Sequence, residues 1–428
     1  MGGCSSSRRS RPRVAAEIPA AEISVARANM ADAKDSMRLY SMFPAAKTTD
    51  GERDRSRLGL SLAELKLFLW GPIALLDAAW LVDLADSGGI ISHRQALPQE
   101  AFIDVHSFFR DKNAVVNTTC GDVLRVILLS YPWLHPSHPD QHGETLRLVA
   151  NLLRAFMNGC RGTETWALFW DYPCLFQHPD PANQHFRSEE EEGLFKRGLN
   201  GLATLYAHQF TWVLRSTKFP SGYPEQYQLP TDANVLPYYQ RGWTFTESSW
   251  ASMTKDNILS LDIGAFVHKD GMDRASAVKM CTADRSRSAP LVPADFEDAV
   301  AVMHFTNGKD DRPLCTRLYK EVFVAQFSKV HTLIWVDLGW KDADMMKVGK
   351  LFATGVLTEL VYLNISMNVF GDSGAAALMK PIQEGCLPKL KAVWIEMTAG
   401  ERFSDQTVKS AKGIFETRGI LLDPTSGW

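Results

Sequence analysis

The chain has 428 residues, 46 Lys and Arg against 49 Asp and Glu, and 45% hydrophobic residues. That length accommodates two or three domains of ordinary size, and the composition excludes collagen-like, coiled-coil and mostly disordered chains. A net charge of −3 argues against a general nucleic-acid binder, and seven scattered cysteines without a C-x-x-C pair fit a reducing compartment.

Residues 1–57 read as a tail. It begins MGGCSSSRRSRPR, with no apolar run behind the charges, so it is not a secretory signal. Gly2 becomes terminal once Met1 is removed, and Ser6 stands at the Ser/Thr position of an N-myristoylation signal. Cys4 beside it is a candidate palmitoyl acceptor. One acyl chain holds a bilayer only marginally, so a second chain or the cluster of Arg8, Arg9, Arg11 and Arg13 completes the anchor. The expectation is a protein anchored peripherally on the cytoplasmic face of a membrane, with residues 14–57 as a flexible tether.

Residues 58–95 form a helical segment expected to pack on the next domain. The stretch LFLWGPIALLDAAWLVDLA (67–85) is about long enough to span a bilayer. Pro72 interrupts it, and Asp77 and Asp83 would each cost about 2.5–3.5 kcal/mol in lipid. A pair of amphipathic helices is the expected form.

Residues 96–265 alternate strand and helix. VLRVILLSY (123–131), TWALFWDY (165–172) and FTWVLR (210–215) are short apolar runs suited to strands covered on both faces. GETLRLVANLLRAFMNG (143–159) carries Leu146, Val149, Leu152, Leu153 and Phe156 on one helical face. Ser188 and Glu191 have capping-box spacing, so the run Glu189–Glu192 reads as a helix start rather than an acidic active-site cluster. This alternation implies an open parallel α/β sheet. Residues 266–328 read as a helical connector, with helices over 293–300 and 313–323.

Residues 329–428 repeat. LIWVDL (333–338), LVYLNI (360–365) and LKAVWI (390–395) share an L-x-x-[LV]-x-[LI] frame, with starts 27 and 30 residues apart. Each is followed by a helical segment such as 372–385, and Asn368 suits the asparagine position of a leucine-rich repeat. A short leucine-rich-repeat α/β solenoid is expected, with its strand face open to protein partners.

Three segments of the α/β region form an ordered set. They are SYPWL (130–134), WDYPCLFQ (170–177) and YQRGWTFTE (239–247), and together they resemble the heterokaryon-incompatibility (HET) domain family. Ser130, Tyr131 and Trp133 match its first motif, and Asp171, Cys174 and Gln177 its second. Tyr206 fits the end of the intervening helix, and Arg241, Gly242, Trp243, Thr244 and Glu247 match the last motif. Leu175, Phe176, Thr246 and His135 depart from the family pattern. HET domains are remote relatives of the TIR fold, so the resemblance implies a flavodoxin-like sheet and action through self-assembly or partner recognition.

The resemblance also implies an alternative. TIR domains that cleave NAD carry a W-x-x-x-E arrangement, which Trp243 and Glu247 reproduce. Breaking the nicotinamide–ribose bond passes through a cation-like sugar that a carboxylate can stabilise while an aromatic ring holds the nicotinamide. Glu247 is therefore the catalytic candidate, with Tyr131, Trp133, Asp171 and Trp243 as ligand contacts and NAD as substrate. Against this stands a structural reading, in which the tryptophans are core aromatics and Glu247 serves the helix dipole. No cofactor is required by either reading. The loop HPSHPDQH (135–142) is dense in zinc-ligand types, but its two prolines and lack of a helical His pair favour a plain polar loop.

Overall fold

The structure, a computed structural model, describes residues 71–108, 124–158, 164–180, 183–220, 223, 225–396 and 403–422. The acylation candidates Gly2 and Cys4, the arginine cluster and the tether lie outside the described residues, as does the expected helix before Gly71.

Two parallel sheets organise the chain. The first contains β1 (Leu76–Asp77), β2 (Arg125–Ser130), β3 (Trp166–Phe169), β4 (Trp212–Arg215) and β5 (Ser260–Asp262), in the order β1-β3-β2-β4-β5. All neighbours are parallel except β1, which pairs antiparallel to β3 at the edge. Every residue of β3 and β4, and all of β2 after Arg125, is buried. Unbroken apolar strands of this kind need cover on both faces.

The cover comes from α1 (Ala78–Asp86), α2 (Glu144–Met157), α3 (Asp171–Cys174), α4 (Glu189–Ala207), α5 (Gly242–Ala251) and α6 (Arg274–Thr282). The path β2–α2–β3 runs one way along the sheet, and β3–α4–β4 returns across it. Right-handed crossovers then put α2 and α4 on opposite faces. Accordingly α1, α2 and α6 pack together as one layer. On the other face α4 and α5 pack with α8, a later helix over Gly308–Phe327.

Local signals explain the helix starts. The Ser188 hydroxyl accepts from Glu191 N (3.2 Å) and Glu191 Oε2 accepts from Ser188 N (2.8 Å), the reciprocal box expected from their spacing. Asp77 caps α1 by accepting from Ala79 N at 2.7 Å, so the acid that argued against a membrane span is a helix cap. Within 71–86 the chain forms one two-residue strand and one helix. Strand β3 stops at Phe169, short of the expected 172, because Asp171 already opens the turn of α3 and Pro173 has no ladder donor. Among the described residues no helix is long and apolar enough to cross a membrane.

The connector region supplies α6, α7 (Pro293–Ala301) and α8. The second sheet follows, with β6 (Thr332–Ile334), β7 (Tyr362–Asn364), β8 (Ala392–Trp394) and β9 (Leu421–Leu422) paired in chain order. Between them run α9 (Asp342–Ala353), α10 (Asp372–Glu384) and α11 (Asp405–Arg418). Thr332 faces Tyr362 and Tyr362 faces Ala392, a period of 30 residues at both steps. The first copy therefore starts at Val330, three residues before the start that the sequence frame suggested. Leu333 satisfies the frame in either register, and Trp335 fills the place taken by Ile365 and Ile395.

Polar side chains tie one turn to the next. Asn368 is fully buried; its carbonyl accepts from Leu338 N (3.0 Å) and Trp340 N (3.2 Å), while its amide donates to Trp335 O (2.7 Å) and Ile365 O (3.0 Å). Asp342 accepts from Gly371 N (2.7 Å) and Gly374 N (3.1 Å) at the start of α10, and Asp372, thirty residues on, accepts from Ser404 N (3.0 Å) before α11. The two sheets meet through buried indoles: Trp335 donates to Met253 O (3.2 Å) and Trp340 to Arg287 O (2.8 Å).

Candidate functional site

The carboxyl ends of β2, β3 and β4 lie together, and the segments that leave them carry the sequence-derived candidates. In open α/β sheets this is where ligands bind, at the point where strand order reverses. Here that point is β2, whose neighbours are β3 and β4.

Ser130 is the last residue of β2. Its hydroxyl donates to Glu247 Oε2 of α5 (2.5 Å) and shares a second bond with the Tyr238 hydroxyl (2.6 Å). Glu247 is only 7% exposed. Burial pushes its carboxyl well above the usual range, nearby Asp171 pushes it further, and the Ser130 bond only partly opposes them. Enclosed in this way, the carboxyl holds the Ser130 hydroxyl rather than standing open to a ligand.

Asp171 begins α3 and accepts from the Trp133 indole (2.9 Å) and from Tyr172 N (2.7 Å). Burial raises its carboxyl to about 6 despite these donors. Tyr131 is buried edge-on to Trp170 (5.4 Å between centroids), and Trp133 is edge-on to Tyr172 (5.6 Å). The structure thus brings Tyr131, Trp133 and Asp171 into one group, with Glu247 within electrostatic reach of Asp171. Trp243 does not join them. Its indole donates to Asp311 of α8 at 3.0 Å, so it ties α5 to the outer helix.

Other motif residues also have intramolecular partners. The Arg241 guanidinium donates to Leu236 O (2.8 Å), Asn234 O (2.6 Å) and Trp133 O, clamping the loop after β2 to the turn before α5. A Cβ on Gly242 would meet the Phe305 ring at 2.1 Å, so the ring requires a glycine there. Thr244 donates to Tyr238 O, and Tyr206 donates to Leu129 O (2.7 Å). Cys174 is buried with its thiol pushed up to about 12 by desolvation, and Gln177 donates to Asp171 O (3.3 Å).

The loop 135–142 is similarly occupied. His135 bonds Asp232 (3.1 Å), His138 bonds Ile91 O (2.8 Å), and His142 stacks on Tyr227 at 3.9 Å. Asp140 accepts from Thr145 N (3.1 Å) and Leu146 N (2.9 Å) at the start of α2. Among the described residues no group of three or more His, Cys, Asp or Glu is arranged to hold a metal ion.

Sequence reasoning missed a second polar group. Arg215 ends β4 beside Asp262 at the end of β5, and donates to the hydroxyls of Tyr239 (2.8 Å) and Ser286 (3.2 Å). Asp262 accepts from Thr217 (2.6 Å) and Gly264 N (3.0 Å). The one available signal was Arg215 itself, a charge closing an otherwise apolar run. Comparison with known proteins yields no matching family model, curated protein or solved structure.

Proposed function

We propose that this chain is a recognition or signalling protein held on the cytoplasmic face of a membrane by its acylated tail, acting by protein–protein assembly. Its parts are a TIR/HET-like, flavodoxin-like domain and a short leucine-rich repeat. The parallel strands, numbered as they occur, run 2-1-3-4, which is the flavodoxin-like order. The 30-residue strand–helix period and the backbone bonds of Asn368 are what a leucine-rich repeat uses to stack its turns. The single observation that favours assembly over NAD cleavage is the burial of Glu247 against Ser130 and Tyr238.

Partners on this reading meet the strand face turned away from the helices, which carries Thr332 and Tyr362. Incubating concentrated full-length protein with NAD and following nicotinamide release tests the choice. No release is expected. Turnover abolished by Glu247→Ala would replace this reading with a glycohydrolase. For the anchor, Gly2→Ala is expected to move the protein out of the membrane fraction, and unchanged association removes the lipid from the proposal.

A further inference from the structure

Glycine inside a helix lowers its stability relative to alanine, so an internal glycine normally answers to packing or to a backbone angle. In α9 a Cβ on Gly349 would meet Ala377 O at 2.5 Å, and in α10 a Cβ on Gly374 would meet Asp342 at 2.7 Å. Gly413, well inside α11, has no such neighbour within 4 Å, and its φ is not positive. Neither packing nor geometry asks for it.

What Gly413 borders is a groove of about 580 Å³ on the helix side of the repeat. Positions 406, 410, 413 and 417 recur at intervals of three and four, so they form one stripe of α11 along this groove. Ala411 and Phe415 are buried in the core from another side of the helix. Gln383 of α10 also borders the groove.

The groove is charged with one sign. Lys409 and Arg418 line it, and no acid does. They are nine residues apart, about 14 Å along a helix axis. Both are exposed, and neither has a hydrogen bond or ion pair among the described residues. The Arg418 guanidinium lies beside Gly385, where α10 ends. That helix end favours a cation but leaves it without a counter-ion. Between the two cations, Gln406, Ser410 and Gln383 offer neutral donors and acceptors.

The shape and charge select the occupant. A concave groove does not lie flush against a flat bilayer, and a second copy would bring the same two cations to meet these. We propose that the groove between α10 and α11 binds an acidic peptide segment of a partner protein. Its carboxylates pair with Lys409 and Arg418, and its backbone crosses above Gly413, where any side chain would stand in the way. The groove is on the opposite side of the repeat from the strand face, so it stands independently of the reading above.

Calorimetric titration of the full chain with heptaglutamate, against heptaglutamine and heptalysine, tests it. Saturable binding of heptaglutamate alone is expected, at about 0.1 mM or tighter in low salt, and weaker as salt screens exposed charges. Lys409→Gln and Arg418→Gln are each expected to weaken it about threefold. Gly413→Leu is expected to weaken it about tenfold or more, while the thermal midpoint holds or rises because leucine is the better helix former. That pairing of lost binding with kept stability separates an open groove from a folding defect. The proposal is overturned if heptaglutamate does not saturate by about 1 mM, or if all three variants bind it as the parent does. Sedimentation with phosphatidylserine vesicles that is lost in these variants, with no heptaglutamate binding by the parent, would give the groove to a bilayer and overturn the peptide.

Discussion

The two sheets share direction and strand–helix alternation, yet they use buried polar side chains differently. In the repeat, Asn368, Asp342 and Asp372 bond to backbone groups of the neighbouring turn, and Asp372 does for its step what Asp342 does for the one before. In the first sheet the polar groups bond to one another across long stretches of chain: Ser130 to Glu247, Trp133 to Asp171, Arg215 to Ser286. A repeat needs polar groups only to fix its own spacing. The carboxyl edge of a doubly covered sheet collects groups from many loops, so it accumulates carboxyls with shifted titration.

The sharpest way to break this contrast is Asn368→Ala. It removes the partners of two buried N–H groups and two carbonyls at once, and a loss of roughly 3–5 kcal/mol is expected in chemical denaturation. A loss below about 1 kcal/mol would mean that the asparagine does not hold the turns together.

Asp171 tests the other sheet through pH. Its folded-state pKa of about 6 lies above the usual carboxylate value, so the folded protein holds this proton more tightly than the unfolded chain does. Stability from this group is greatest below about pH 4 and declines as pH rises through 6, by about 3 kcal/mol for a shift of this size. Asp171→Asn is expected to flatten that decline. An unaltered pH profile in the variant would assign the titration elsewhere.

Gly242→Ala comes next, because the added methyl meets the Phe305 ring; about 1–3 kcal/mol is expected from thermal unfolding. The smallest effect is expected from Glu247→Gln. The carboxyl accepts from Ser130, and an amide oxygen can accept the same bond, so an amide of the same shape is expected to cost less than about 1 kcal/mol. A large loss would show that the group folds as an anion.

Much of the architecture was legible in the sequence because it rests on local signals. The capping box at Ser188 and Glu191, the apolar runs of β2, β3 and β4, and the helix over 372–384 all lie in contiguous residues. Strand β5 escaped notice because three residues leave no measurable period, and the β6 frame slipped because Leu333 fits two registers. The site was legible as a set of residues but not as an arrangement. Ser130 and Glu247 are 117 positions apart, and Arg215 and Ser286 are 71 apart. Nothing local announces such pairs, and the i,i+4 spacing of Trp243 and Glu247 did not foretell that one indole would face Asp311.

The Asp342 and Asp372 bonds have a directional consequence. Each carboxylate secures the helix that follows it, whereas the first strand is pinned to the other sheet through Trp335 and Trp340. Breaking an early turn therefore releases everything downstream, while breaking a late one leaves the earlier turns held. The repeat should fray like a zip whose slider is fixed at the seam, with amide exchange fastest in α11 and slowest in β6.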